Sequence, residues 1–304
     1  MQRPNSTRLT IFAAVAALAA AACGDTVGVS GKARVQVLLT DAPSDYVGAA
    51  FVDIGAVELL PSDDGDRIVL TDDGTDGPVN LLDLQGATTA LLADAEIEAG
   101  TYSQIRLFVE SASVTLADDY EFRDGSTEQD LKVPSGAQSG IKLNLRSANE
   151  DGEENGGVEI SSGETVLVLD FDVNQSFRVQ GNPHTAAGIN SMHFQPTLRV
   201  VVQNLAGSIS GTVSTELQAS VEGLVVTAEP TDGGSLDDFQ TQTATAVTDS
   251  IGAYTMFFVV PGSYSVTVTP NDATTTTTPA SVAVVVEPAE HVTGVDFSLV
   301  QITP

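Results

Sequence analysis

From residue 31 onward, hydrophobic positions recur every second residue rather than at helical spacing. In Thr101–Glu110, Ile105, Leu107 and Val109 fall on one face, and Arg106 and Glu110 on the other. In Thr165–Val173, Leu167, Leu169, Phe171 and Val173 share a face opposite Val166, Val168, Asp170 and Asp172. Lys32–Thr40, Phe51–Leu60 and Met192–Gln203 read as further strands. After Gly207, Tyr264, Val266 and Val268 alternate with Ser265, Thr267 and Thr269, and Val295, Phe297 and Leu299 alternate with Asp296 and Ser298. Period-two runs bounded by Gly, Asp, Pro and Asn mark half-buried strands. A short helix is predicted only around Thr88–Leu92. The pattern predicts an all-β chain of two tandem antiparallel β-sandwich domains, residues 32–203 and 207–304. Asn204–Ala206 is too short to be a free linker, so the two should lie close together. Pro61–Pro78, Ala148–Gly157 and the Thr274–Thr278 run before Pro279 are predicted as exposed loops, the last also a possible O-glycan site.

The first 22 residues break this pattern. Arg3 and Arg8 precede an uncharged apolar run, Leu9 through Leu18, then Ala19–Ala22, then Cys23, the only cysteine. A charged start, an apolar middle and a small-residue end make an export signal. The run is short of the roughly 20 apolar residues that span a bilayer. The arrangement resembles a bacterial lipobox, with Ala20 where Leu is usual. The resemblance implies cleavage before Cys23 and lipidation of its thiol. The other reading is an ordinary secretory signal with a chance cysteine. Residues 23–31 would then be a short tether.

Charge narrows the partners. The chain has 41 acidic and 12 basic residues, a net charge of −29, and only three lysines. Losing Arg3 and Arg8 with the leader would deepen the excess by two. Such a surface repels phosphate, which excludes nucleic acid and disfavours anionic headgroups. An acid-rich, lysine-poor surface also suits high salt, where screening shortens to a few Å. Trp is absent and aromatics are 5% of residues, which does not favour an aromatic glycan platform. No second cysteine exists for an internal disulfide.

Two family resemblances follow from the strand segments. Leu39–Pro43 (Leu-Thr-Asp-Ala-Pro), Leu81–Leu84, Ala99–Leu107, Val133–Leu143 and Leu169–Asn174 resemble, in order, the bacterial lipoprotein family called domain of unknown function 4382. That resemblance implies export and a β-rich fold for residues about 32–203, and no assigned activity. Gly207–Val213, Val221–Val226, Thr248–Tyr254 and Pro261–Val266 resemble the carboxypeptidase regulatory-like domain, a transthyretin-like β-sandwich, over residues about 207–300. In that family the module accompanies other domains and is not itself catalytic. It is grouped by fold with carbohydrate-binding modules, which is analogy.

Few constellations carry chemistry. Asp170 and Asp172 lie two apart on a strand and project from one face, and Asn174 continues it. This ladder of oxygens suits calcium, and Asp41 joins it if its loop folds nearby. The alternatives are a solvent-facing polar stripe for the ladder and an Asx-type turn before Pro43 for Asp41. No cofactor is expected, calcium apart. Asp72-Asp73-Gly74-Thr75-Asp76-Gly77, with Asp83 further on, departs from the EF-hand template at Gly74 and at its last position. It is either a loose calcium loop or a solvated acidic one. His184, His193 and His291 lack zinc-hydrolase spacing and are expected on the surface or hydrogen-bonded. Ser135 and Ser139 have no nucleophile elbow and fit a turn before the strand Ile141–Leu145.

The sequence therefore points to a non-enzymatic, lipid-anchored envelope protein: a scaffold or adhesion module for a protein or glycan. Gly24 follows the cysteine where an inner-membrane retention signal usually places Asp, so the lipoprotein resemblance implies the outer membrane, facing periplasm or exterior. The alternatives are a carbohydrate-binding lipoprotein, and a hydrolase using Asp170 and Asp172 as acid and base across a pocket.

Overall fold

The computed structural model describes residues 31–302 except 43–45, 64, 119, 135–138, 146, 149–153, 156, 183–187, 218, 232–241 and 272–273. Cys23, His184 and Ser135 lie outside the described residues, as does most of the Ala148–Gly157 segment. No described helix is long and apolar enough to cross a membrane.

The fold is all-β. In the N-terminal half, a four-stranded sheet runs in the order Leu198–Val202, Glu164–Asp172, Lys32–Ala42, Ala90–Glu98. It faces a seven-stranded sheet built on two long strands, Val47–Pro61 and Gly100–Leu116. These two pair antiparallel along most of their length, from Val47 opposite Leu116 to Pro61 opposite Tyr102. The expected alternation supplies the core. Val35, Val37 and Leu39 from one sheet meet Val52, Ile54, Ile105 and Leu107 from the other, all fully buried with Leu167, Leu169 and Phe171. Burying a side chain of this size contributes about 1.5–3 kcal/mol.

The C-terminal half is a second sandwich with its own core of Ile209, Val213, Val226, Met256, Tyr264, Val266 and Phe297. One sheet centres on Gly207–Thr215, the other on Val225–Pro230 and Gly262–Thr269. Tyr254 fixes a corner: its buried hydroxyl donates to the Val295 carbonyl at 2.6 Å.

Several sequence expectations need correction. Most pairings are antiparallel, but Lys32–Ala42 runs parallel to Glu164–Asp172, and Gly207–Thr215 runs parallel to Phe297–Gln301. Thr88–Leu92 is not a helix, because Ala90–Glu98 pairs with Lys32–Ala42. Long-range pairing overrides a short helical signal there. The threonine run is a strand, Thr275–Thr278, with Thr275 and Thr277 buried. A homopolymer hides its own alternation, so only pairing with Phe297–Gln301 reveals it. Within Pro61–Pro78, Ile68–Thr71 pairs with the long Val47–Pro61 strand, while Asp72, Asp73 and Asp76 are exposed as expected.

Candidate functional site

The site grows from one end of the four-stranded sheet. In parallel register, Thr40 sits beside Asp170 and Ala42 beside Asp172, while Asp170 faces Arg199 across the antiparallel neighbour. Leu167 through Asp172 are buried on both faces of the strand. One face meets the N-terminal core. The other also holds Val168 and Val201, which are buried yet belong to neither core cluster. The expected solvent-facing stripe is thus covered: Asp170 is only 6% exposed, Asp172 4% and Arg199 4%.

Burial decides what these carboxylates do. Arg199 donates from Nε to Asp170 Oδ2 at 2.7 Å and from Nη2 to the same oxygen. Burial pushes the Asp170 carboxyl above its ordinary range, against the pull of Arg199. Nη2 also donates to the Phe257 carbonyl of the second sandwich at 3.1 Å. That carbonyl is aimed by a bulge. Gly207 pairs with Val259 and Ile209 with Met256, so the second strand holds one extra residue, and Phe258 turns to a φ of 53°.

Asp172 has a different task. It ends its strand and caps the helical turn Val173–Ser176. Oδ1 accepts from the Gln175 amide N–H at 2.9 Å and Oδ2 from Gln175 Nε2 at 2.7 Å. Burial raises its carboxyl, and these hydrogen bonds oppose the rise. The turn also corrects the calcium ladder. Asn174 lies on the turn, exposed, not on the strand face. Asp41 is buried beside Phe171 in register. Pro43, which would close the alternative Asx turn, lies outside the described residues. Among the described residues, no group of three His, Cys, Asp or Glu side chains is placed to hold a metal.

A cavity of about 460 Å³ opens where the two sandwiches meet. Thr40, Asp41, Asp170 and Arg199 line it from the first, and Thr245, Thr255, Phe257 and Phe258 from the second. Asp172 is not among its lining residues, so the two carboxylates do not oppose each other across it. Among the described residues, Asp170 Oδ1, Arg199 Nη1 and Thr245 Oγ1 are buried polar atoms of the lining that make no hydrogen bond. Such an atom costs roughly 1–3 kcal/mol. Arg199 and Thr245 were not apparent as site residues in the sequence. The available signal was a lone basic residue inside the apolar run Leu198–Val202. Of the remaining candidates, His193 is exposed, and His291 Nδ1 shares a 2.8 Å hydrogen bond with Ser208. Ser139 is exposed, and Asp83 is exposed on the turn Leu81–Leu84.

The family model described as domain of unknown function (DUF4382) matches residues 32–186. The chain belongs to this family. The DUF4382 match ends before the strand Leu198–Val202, which completes the four-stranded sheet and contributes Arg199. No curated protein matches the chain. Solved structures give loose likenesses. The minor pilin of Streptococcus agalactiae is 14% identical, covering 90% of this chain and 98% of that one, at a TM-score of 0.26. The major pilin subunit of Bacillus cereus is 10% identical, covering 88% and 99%, at 0.21. The TIE protein of Bacillus anthracis is 9% identical, covering 88% of this chain at 0.22, and this chain spans about a third of its length. Superpositions this loose transfer nothing from those proteins.

Proposed function

We propose that this DUF4382 protein is a non-catalytic, lipid-anchored scaffold of the bacterial envelope, held at the outer membrane through acylated Cys23. One observation carries the non-catalytic part. The two carboxylates best placed for acid–base work are consumed structurally, Asp170 by Arg199 and Asp172 by the turn it caps. The anchor rests on the leader and the lone Cys23. Several acyl chains are needed for a durable anchor, since one binds a bilayer only marginally, at about 10⁴ M⁻¹.

The C-terminal sandwich is read as a carboxypeptidase regulatory-like domain. The two-sheet arrangement supports this, as does the turn before Tyr254, where Gly252 has a φ of 80°. Two β bodies joined by the Arg199–Phe257 hydrogen bond suit a scaffold presenting loops to a protein or glycan. The acidic surface suits salt-rich surroundings. Intact-mass analysis of protein from its native host tests the anchor: a chain beginning at acylated Cys23 is expected. An unacylated chain, or one cleaved elsewhere, overturns it.

A further inference from the structure

The cavity between the sandwiches has the size of a small-molecule site, which runs about 300–1,000 Å³. Its chemistry narrows the occupant. Asp170 Oδ1 can only accept a hydrogen bond, Arg199 Nη1 can only donate, and Thr245 Oγ1 can do both. Asp170 and Arg199 are each more than nine-tenths buried, and their remaining capacity is unmet. An anion could accept from Arg199 but would meet Asp170 and Asp41 in the same lining. A metal cation would suit the carboxylates but would meet the guanidinium. A hydroxyl group donates and accepts at once, and adjacent hydroxyls serve an acceptor and a donor side by side. Phe257 and Phe258 add apolar surface from the second sandwich.

The geometry points to this cavity as a binding site for a neutral, polyhydroxylated ligand, a sugar or the end of a glycan chain. Adjacent ligand hydroxyls would donate to Asp170 Oδ1 and accept from Arg199 Nη1, with a further bond to Thr245. Because lining residues come from both sandwiches, the ligand would also tie them together. The site does not depend on the lipid anchor, so failure of one leaves the other standing.

The test is calorimetric titration of the full chain with glucose, galactose, mannose, xylose, N-acetylglucosamine, cellobiose and maltose. Inorganic phosphate, calcium chloride and a blocked tripeptide are titrated in parallel. Thr245→Val is the key variant, because the hydroxyl it removes has no partner in the free protein. It should melt at or above the temperature of the parent chain. At least one sugar is expected to bind, about tenfold more weakly to Thr245→Val, as for loss of one hydrogen bond. Absence of sugar binding at about 50 mM, far weaker than any useful affinity, overturns the proposal. So does sugar binding that Thr245→Val leaves unchanged, or preferential binding of phosphate, calcium or the peptide.

Discussion

Replacing Arg199 by Met should be among the most damaging single changes outside the two cores. The residue is 4% exposed and supplies the hydrogen bonds seen at Asp170 Oδ2. Removing it leaves a buried carboxylate without its counter-charge, a loss of about 3–5 kcal/mol. At about 2–4 °C per kcal/mol for a domain of this size, the melting temperature should fall by roughly 6–20 °C. The sign of the pH dependence follows from Asp170. Burial already raises its carboxyl, and without Arg199 nothing on that residue opposes the rise. The folded variant then binds the proton more tightly than the unfolded chain. Stability from that proton is fully present below the ordinary carboxyl range and is lost as pH rises through the raised folded value. The deficit against the parent should therefore be largest at neutral pH and shrink towards acid. Urea melts followed by circular dichroism across that range measure it. Adding Asp170→Leu to Arg199→Met should recover most of the loss, because a buried ion pair replaced by apolar groups is often neutral. The variant also removes the bond to Phe257, so the two sandwiches should melt as more separate transitions. A neutral-pH loss under about 1 kcal/mol, or a double variant no better than the single, would refute the reasoning.

Asp172→Ala should cost about 1–2 kcal/mol through loss of the cap, while Asp172→Asn, which keeps an acceptor, should cost a few tenths. Because burial raises the Asp172 carboxyl, its proton favours the folded state at low pH, and the stabilisation fades as pH rises through the raised value. Asp172→Asn should flatten that slope in acid titrations of stability. Gly252→Ala should destabilise the C-terminal sandwich by at least about 1–3 kcal/mol from its φ of 80° alone. The new methyl would also strike the Val213 carbonyl, and amide exchange should localise the loosening to that turn. Added salt should raise the melting temperature, since screening weakens repulsion within a chain of net charge −29; an unchanged value would count against the reading of its surface.

Much of the fold was legible because a half-buried strand writes its burial into every second residue. Leu167, Leu169 and Phe171 announced the core face of their strand, and the structure buries each of them completely. Turns were legible where one residue type is demanded, as at Gly252 before Tyr254. Alternation says nothing, however, about what covers the opposite face. Asp170 and Asp172 looked like a polar stripe because a strand's second face is commonly wet. Asp170 is instead met by Arg199, a distant residue that also reaches the second sandwich, and Asp172 by the turn it caps; the first of these leaves no local mark.

The order of residues alone determined the β character, the two bodies, the acidic surface and the lone cysteine behind its leader-like run. These depend on composition and on neighbours a few positions apart. The tertiary structure decided that Arg199 reaches Asp170 and Phe257, that Asp172 caps a turn, and that a cavity lies between the sandwiches. Those outcomes depend on which strands pair and in what register, choices set by the packing of segments distant along the chain.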